Sequence, residues 1–382
     1  MPQIVIAGYA RSPFHLAGKG ALARTRPDDL AAAVVRALVE RSGIDPSAIE
    51  DLIVGCAFPE GEQGLNVARM IGLLAGLPLP CGGMTVNRFC GSSMSAVHYA
   101  AGQIALGAGE VFIAAGVEGM SRVPMLGFNP MPNPALAKTG SAYIGMGDTA
   151  ENLATRYGID RAAQEAFALN SQHKAAAAIV AGKLADEIVP IAINRGKANA
   201  SMVDQDGCPR PGTTAEALAG LKPAFSATGT VTAGTSSPLT DGASAVLVAS
   251  EEYARAHGLP ILARIIGTAI SGCSPDIMGI GPVESSRKAL ARAGIGVGDL
   301  DVIELNEAFA SQALACIADL GLDMAKINLD GGAIALGHPL GATGARIVGK
   351  AASLLQRTGG RYALATQCIG GGQGIATVLE AV

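Results

Sequence analysis

Tryptophan is absent from the chain, aromatic residues make up only 4% of it, and charged residues only 16%. Nucleic-acid binding asks for a basic stripe and, on single strands, for stacking rings. The formal net charge is −4 and no basic block occurs, so no nucleic-acid partner is expected. No CxxC pair occurs either. The seven cysteines, Cys56, Cys81, Cys90, Cys208, Cys273, Cys316 and Cys368, are odd in number and widely spaced. That argues against a disulfide framework and against a structural zinc site, so no metal is expected. A reducing compartment fits best, and the expected location is cytoplasmic. The chain opens on an apolar strand signal rather than a basic region, an apolar run and a cleavage site. The longest uncharged run, between Arg88 and Glu110, holds Cys90, three serines, His98 and Gln103. It reads as a buried helix feeding a strand, so no integral membrane segment is expected.

Glycine, by contrast, is abundant: 51 of 382 residues, with 20 prolines beside them. Disordered glycine-rich chains are poor in aliphatic residues, yet 49% of this chain is hydrophobic. The glycines follow no period of three, which excludes collagen. What remains is a compact protein that uses glycine for tight turns and close backbone approaches.

The element pattern alternates between strand and helix, which argues α/β. Gln3–Gly8 is a strand, Asp28–Ser42 a helix with Asp28 or Asp29 near its start, Ile49–Cys56 a strand, and Val111–Gly116 a fully apolar strand. The same order returns later in Ile261–Gly267, Pro282–Ala293, Gly298–Leu305 and Tyr362–Gln367. Cys90–Leu106 and Gly341–Gln356 read as matching long helices. Two halves with one element order point to a duplicated fold. Residues 119–239 break the pattern, with a proline-rich stretch and then helices such as Arg161–Ala181 capped by Asp160. The expected division is a first half of residues 1–118 plus about 240–260, an inserted loop domain of 119–239 covering a site, and a second half of 261–382.

Several polar constellations sit at strand ends. In Val86-Asn87-Arg88-Phe89-Cys90-Gly91-Ser92-Ser93 a cysteine meets a helix N-terminus, whose dipole and free N–H groups would lower a thiol pKa. The bland alternative is a small buried core cysteine. In Gly337-His338-Pro339-Leu340-Gly341 a histidine is held in a stiff glycine-rich turn, or merely satisfies a carbonyl there. In Cys368-Ile369-Gly370-Gly371-Gly372 a second cysteine enters a loop whose N–H groups could form an oxyanion hole, or simply a sheet-end turn. Asn306-Glu307-Ala308-Phe309-Ala310 would ordinarily be a helix cap. No GxxxxGK[ST] occurs, which leaves nucleotide phosphate binding weak. Together, the four lie where sites form in α/β sheets.

These motifs, in this order, resemble the thiolase family over essentially the whole chain: the nucleophile motif, NEAFA, GHP and CxGGG. The resemblance implies duplicated βαβαβαββ halves in a five-layered αβαβα sandwich with an inserted loop domain. It implies thiolytic cleavage of a 3-ketoacyl-CoA by CoA to acetyl-CoA and a shortened acyl-CoA, as in fatty acid β-oxidation. Cys90 would be the nucleophile, His338 would take its proton, and Cys368 would be the acid and base at carbon. Asn306 with His338 would serve one oxyanion, and the N–H groups of Cys90 and Gly370 the other. Glycine at 370 would be needed because a side chain would crowd the thioester.

Arg210, Phe225, Ala233, Ser237, Met146 and Phe309 would contact CoA and the acyl chain. Pro238 replaces a residue that is often glycine in the family. No permanent cofactor is implied; coenzyme A is a co-substrate. The family implies a homodimer or dimer of dimers, and degradative members also join a hydratase–dehydrogenase partner. Gly145 stands where short-chain biosynthetic members usually carry histidine, so the chain looks more like the bacterial degradative branch. A biosynthetic acetyltransferase condensing two acetyl-CoA is the alternative, and a non-catalytic acyl-CoA-binding protein on the same fold the remote one.

Overall fold

The computed structural model describes residues 2–138, 140–194, 196 and 200–382. Its first part runs β1 (Ile4–Arg11), β2 (His15–Leu16), α1 (Pro27–Ser42), β3 (Asp51–Gly55), α2 (Val67–Ala75), β4 (Gly82–Val86), α3 (Ser92–Ala105) and β5 (Val111–Gly119). The chain then leaves the main sheet. It forms α4 (Pro134–Lys138), α5 (Met146–Tyr157), α6 (Arg161–Val180), the hairpin β6 (Ile191–Ile193) and β7 (Ser201–Val203), and α7 (Ala215–Ala219). It re-enters at β8 (Thr240–Ser250), followed by α8 (Glu251–Ala256). The last part runs β9 (Ala263–Gly272), α9 (Gly281–Ala293), β10 (Val302–Leu305), α10 (Ala310–Leu320), α11 (Ala333–Leu336), α12 (Thr343–Thr358), β11 (Tyr362–Ile369) and β12 (Gln373–Glu380).

The duplication seen in the element order is also present in the strand pairing. The main sheet runs β10-β11-β12-β9-β1-β8-β5-β3-β4. In the first half β3 pairs parallel with β4 and β5, while β8 pairs antiparallel with β5 and β1. In the second half β10 pairs parallel with β11, while β12 pairs antiparallel with β11 and β9. A parallel bridge between Ile303 and Ile327 stands where the β3–β4 pair stands in the first half. Even the irregularities correspond: β1 slips register on β8 between Ile6 and Gly8, and β12 slips on β9 between Val378 and Leu379. The halves join where Val5 and Ile6 pair with Arg264 and Ala263.

Alternation of side chains across the strands sends them into three cores, which defines the layers. One core places α1 and α2 against one face of the first half-sheet, through Leu30, Val34, Leu38, Val67 and Ile71. A second joins α3 and α12 to both half-sheets, through Met94, Val97, Ile347, Val348, Val246 and Leu379. The third places α9 and α10 on the outer face of the second half-sheet, through Val283, Leu290, Ala313 and Ile317. The layers are therefore α, β, α, β, α, with α3 and α12 in the middle.

Helix starts lie close to expectation. Asp160 does cap α6, its Oδ1 accepting from the Ala163 N–H at 2.8 Å. Asp28 and Asp29 lie near the start of α1, as expected: Arg26 is the N-cap residue with Pro27 at the first helical position, and both acids fall in the first turn beside the positive helix end. Among the described residues, no helix is long and apolar enough to cross a membrane.

Candidate active site

Cys90 sits in a one-turn 3-10 segment, Phe89–Gly91, wedged between β4 and α3. The turn is tight. Phe89 adopts φ +43°, which a non-glycine residue rarely accepts. Two side chains hold it there: Asn87 Oδ1 accepts from the Phe89 N–H at 2.8 Å, and Ser92 Oγ donates to the Phe89 carbonyl at 2.6 Å. Gly91 is required, since a Cβ there would stand 2.4 Å from Ile369 Cδ1.

Burial pushes the Cys90 thiol up to about 11, with Glu118 adding to the rise. The N–H groups of Gly370 and of Cys90 itself point at the sulfur and oppose that rise without overcoming it. The expectation of a lowered thiol pKa at the helix N-terminus is thus corrected: desolvation outweighs the dipole and both donors. Resting Cys90 is a neutral thiol that needs a base.

Cys368 ends β11 on the opposite half and is buried. It lies in a small apolar cluster with Ala150, Val231, Met278, Ala308 and Phe309, with Met146 packed against it. Burial raises its thiol strongly, and repulsion from Cys90 adds to the rise. Gln367 beside it donates its Nε2 to the Cys90 carbonyl, tying the two cysteine segments together. Gly370 faces Met146 Sδ and Phe89 Cδ2, but a Cβ there would meet them at 3.6 and 3.7 Å, ordinary contact distances. The protein therefore does not itself demand glycine at 370; such a demand would have to come from a ligand.

His338 is buried, and its N–H is fixed by Thr240 Oγ1 at 3.0 Å. The hydroxyl of Thr343 donates to the Pro339 carbonyl at 3.0 Å, so it accepts from His338 Nδ1–H at 2.6 Å. Nδ1 carries the proton, and Nε2 offers its lone pair. Asn306 Nδ2 stands 3.4 Å from that nitrogen, and Asn306 Oδ1 is buried with no partner among the described residues. Desolvation, then the charge of Arg346, lowers His338 to about 3. Its imidazole is neutral at neutral pH and free to receive a proton. Asn306 is held by its N–H to the Thr366 carbonyl at 3.0 Å, two residues before Cys368 on β11.

The residues expected to contact CoA divide into two groups. Met146, Phe309 and Phe225 gather near Cys368: the Phe225 and Phe309 rings stand edge to face at 5.9 Å, and Phe225 lies on the Gly147 backbone, where a Cβ would be 2.1 Å from its ring. Ser237 joins them, its N–H and hydroxyl both donating to the Ala308 carbonyl at 3.0 and 3.1 Å. Ala233 and Arg210 are exposed. Arg210 is tied to α6 through its N–H to Gln172 Oε1 at 2.8 Å. No hydrogen bond or ion pair joins Arg210 to the cysteine cluster among the described residues. No role for Thr343, Gln367 or Glu118 is legible in the sequence. Thr343 and Gln367 flank the motifs while Glu118 lies far from all four, and the partners that explain Glu118 and Gln367 lie far along the chain.

The arrangement offers groups suited to thioester chemistry: a thiol with paired N–H donors at its sulfur, a second thiol in an apolar wall, and a neutral imidazole whose Nε2 carries no proton. Among the described residues, no group of His, Cys, Asp and Glu could hold a metal ion. Comparison with known proteins agrees with that chemistry. A model of the thiolase N-terminal domain matches residues 4–252, and one of the thiolase C-terminal domain matches 259–381. The chain is 47% identical to the 3-ketoacyl-CoA thiolase of Bacillus subtilis and 51% identical to that of Shewanella denitrificans, over all of each chain. The human mitochondrial 3-ketoacyl-CoA thiolase structure superposes with a TM-score of 0.91 at 37% identity. The Bacillus anthracis acetyl-CoA acetyltransferase structure does so with 0.92 at 40% identity. Each superposition covers 100% of this chain and 99% of the other. With both family domains matched end to end over a duplicated fold, the chain belongs to the thiolase family.

Proposed function

We propose that the protein cleaves 3-ketoacyl-CoA with free CoA, giving acetyl-CoA and an acyl-CoA shortened by two carbons. The observation that carries this reading is that the Gly370 and Cys90 N–H groups point at the Cys90 sulfur while Cys368, from the other half, feels the charge of Cys90. Full-length relatives of about half identity, named 3-ketoacyl-CoA thiolases, support the reaction.

The Cys90 sulfur attacks the 3-keto carbon as His338 Nε2 takes the thiol proton. The protonated imidazole then becomes a donor to the new oxyanion, with Asn306 beside it. The C2–C3 bond breaks, its electrons pass to the acetyl-CoA enolate, and Cys368 protonates that carbon. The acyl group stays on Cys90 as a thioester, whose oxyanion in the next step faces the N–H groups of Cys90 and Gly370. CoA attacks, the acyl-CoA leaves, and the thiol returns. With thiols this strongly protonated at rest, charge forms only as substrate reacts.

Residues 119–239 serve as the loop domain that receives CoA. Phe225 and Ser237 line the pantetheine path, Ala233 lies at its mouth, Arg210 reaches the adenosine phosphates, and Met146 and Phe309 border the acyl group. The working unit is a homodimer or dimer of dimers in the cytoplasm, open to a hydratase–dehydrogenase partner. A biosynthetic acetyl-CoA acetyltransferase is the second reading, favoured by the likeness to the Bacillus anthracis structure. Gly145 weighs the other way, because it puts no imidazole beside the Met146 wall.

Incubation with a medium-chain 3-ketoacyl-CoA, without CoA, should leave an acyl mass on the Cys90 peptide, and Cys90→Ala should abolish both that mass and thiolysis. Full thiolysis by Cys90→Ala would falsify the mechanism. A strong preference in kcat/KM for acetoacetyl-CoA over longer substrates would select the biosynthetic reading instead.

A further inference from the structure

Glu118, near the end of β5, is a fully buried carboxylate with no cationic partner among the described residues. It is held by N–H donors from separate parts of the chain. Its Oε2 accepts from the Ala57 N–H and the Gly341 N–H, both at 2.9 Å. Its Oε1 accepts from Gln63 Nε2 at 2.9 Å and from the Phe58 N–H at 3.3 Å. A carboxylate so placed is an expensive group to keep, and four donors are what keep it.

The donors lead in two directions. Gly341 closes the loop that holds His338, and that loop is pressed on the sheet: a Cβ at Gly341 would stand 2.5 Å from the Val117 carbonyl and 2.8 Å from Cys56 Cα. Ala57 leads toward the nucleophile. Its carbonyl accepts from Asn87 Nδ2 at 3.0 Å, and Asn87 Oδ1 accepts from the Phe89 N–H at 2.8 Å, the residue bent to φ +43° before Cys90. The Phe58 ring also stands 5.9 Å from the Phe89 ring. An unbroken chain of contacts thus runs from the His338 loop through Glu118, Ala57 and Asn87 to the Cys90 turn.

We propose that Glu118 is a positioning residue for the thiolase reaction, fixing the Cys90 turn and the His338 loop against each other across the two halves of the fold. It touches neither reacting atom. This rests on the thiolase reading for its effect on turnover, while the geometry it sets exists without substrate. The charge has a second consequence. Glu118 is one cause of the raised Cys90 thiol, so it helps keep the nucleophile protonated until His338 takes the proton. The other titratable groups at this corner are Cys56 beside Glu118, Cys368 from β11 and neutral His338 from the loop before α12.

Three variants separate these effects. Glu118→Gln keeps the shape and removes the charge, Glu118→Asp keeps the charge and shortens the reach, and Asn87→Ala, at an exposed residue, cuts the chain outside Glu118. Each should lower kcat roughly 10- to 100-fold with KM within about twofold, since small misplacements of reacting groups cost rates of that order. The pH midpoint of iodoacetamide labelling at Cys90, read by peptide mass, should move to lower pH in Glu118→Gln and stay in place in Asn87→Ala. A wild-type kcat in Asn87→Ala, or an unmoved midpoint in Glu118→Gln, overturns the proposal. Should Glu118→Gln fail to fold, the kcat of Asn87→Ala decides alone. The labelling needs no substrate, so it still tests Glu118 if the thiolase reading itself fails.

Discussion

At the residue scale, the chemistry of the site is set by desolvation more than by charge. Cys90 is raised to about 11 and His338 lowered to about 3, both primarily by burial. Each is therefore neutral at rest, and in the proposed mechanism a proton would pass between them only when the developing oxyanion makes the transfer favourable. That places weight on the tautomer of His338. Nε2 is available because Thr343 Oγ1 accepts from Nδ1–H, having given its own proton to Pro339. Thr343→Val removes that acceptor while keeping volume, and leaves a buried N–H unpaired unless the proton moves to Nε2. Moving it there blocks the base. Thr343→Val should therefore lower kcat by at least about tenfold with little change in KM, as loss of a correctly oriented general base does. Steady-state kinetics on a 3-ketoacyl-CoA checks this, and an unchanged kcat would show that Thr343 does not set the tautomer. Cys90, His338 and Cys368 could be picked out from the sequence because each sits in a short local pattern of glycine with cysteine or histidine, and Asn306 only because its segment completes the set of motifs. Glu118 and Gln367 could not, because what gives them meaning is a partner 223 or 277 residues away, and Thr343 could not, because which ring nitrogen of His338 its hydroxyl meets depends on how the turn folds.

At the scale of elements, α12 carries an unusual load for a central helix. Its buried face includes Arg346 and Lys350 among alanines and aliphatics. Arg346 pairs with Glu304 at 2.7 Å. Lys350 pairs with Glu187 at 2.9 Å and Asp330 at 2.7 Å, while Arg11 reaches the same Glu187 at 2.8 Å and Asp206 at 2.7 Å. These pairs pin α12 to β1, to β10 and to the segment after α6. Removing one member leaves the others buried and undercompensated, which costs more than the pair contributes. Lys350→Met, close in volume, should destabilise the fold by about 3 kcal/mol. That is the lower end of the range for broken buried pairs, because Arg11 still serves Glu187 and Arg357 still serves Asp330. Urea unfolding checks it; a midpoint equal to wild type would mean the chain of charges is dispensable. The helix itself was legible in the sequence from its apolar spacing, starting only two residues earlier than observed. Its cations were not legible as buried, since nothing local distinguishes a buried lysine from one reaching solvent. The strand β4 was likewise weakly marked: Gly82-Gly83-Met84-Thr85-Val86 has little strand propensity and owes its place to pairing with β3.

At the scale of the whole molecule, the duplication was the most legible feature, because a repeated element order survives without any long-range information. The strand pairings then follow from it, half for half. What the order does not carry is how the two halves balance charge, and this governs behaviour in acid. His338 and His98 are both held near 3 in the folded protein, far below the usual 6.5, chiefly by burial. Folded pKa values below the unfolded ones mean stability that is present above about pH 6.5 and is lost as pH falls toward 3. Glu304 acts in the opposite sense. Its carboxyl is raised to about 7, so its contribution is greatest below about 4.5 and shrinks as pH rises through 7. Glu187 and Asp330 are lowered by their cations and lose stability only below their ordinary range, under about pH 4.5. Between about pH 6.5 and 4.5, then, the two histidines held near 3 work against several carboxyls that burial raises, Glu304, Glu118, Glu307, Asp241 and Asp51. At pH 5 each histidine costs about 2 kcal/mol, from one and a half pH units at 1.36 kcal/mol each. His98 is the one to change, because it bonds Thr377 Oγ1 at 2.8 Å on the sheet and has no part in the cysteine site. His98→Gln can keep a hydrogen bond to that hydroxyl and cannot take a proton. Between pH 7 and 5 its stability to urea should fall about 2 kcal/mol less than that of the wild type, the cost of one histidine. Parallel losses in the two proteins would mean that the acid sensitivity comes from the active-site histidine or the carboxylates instead.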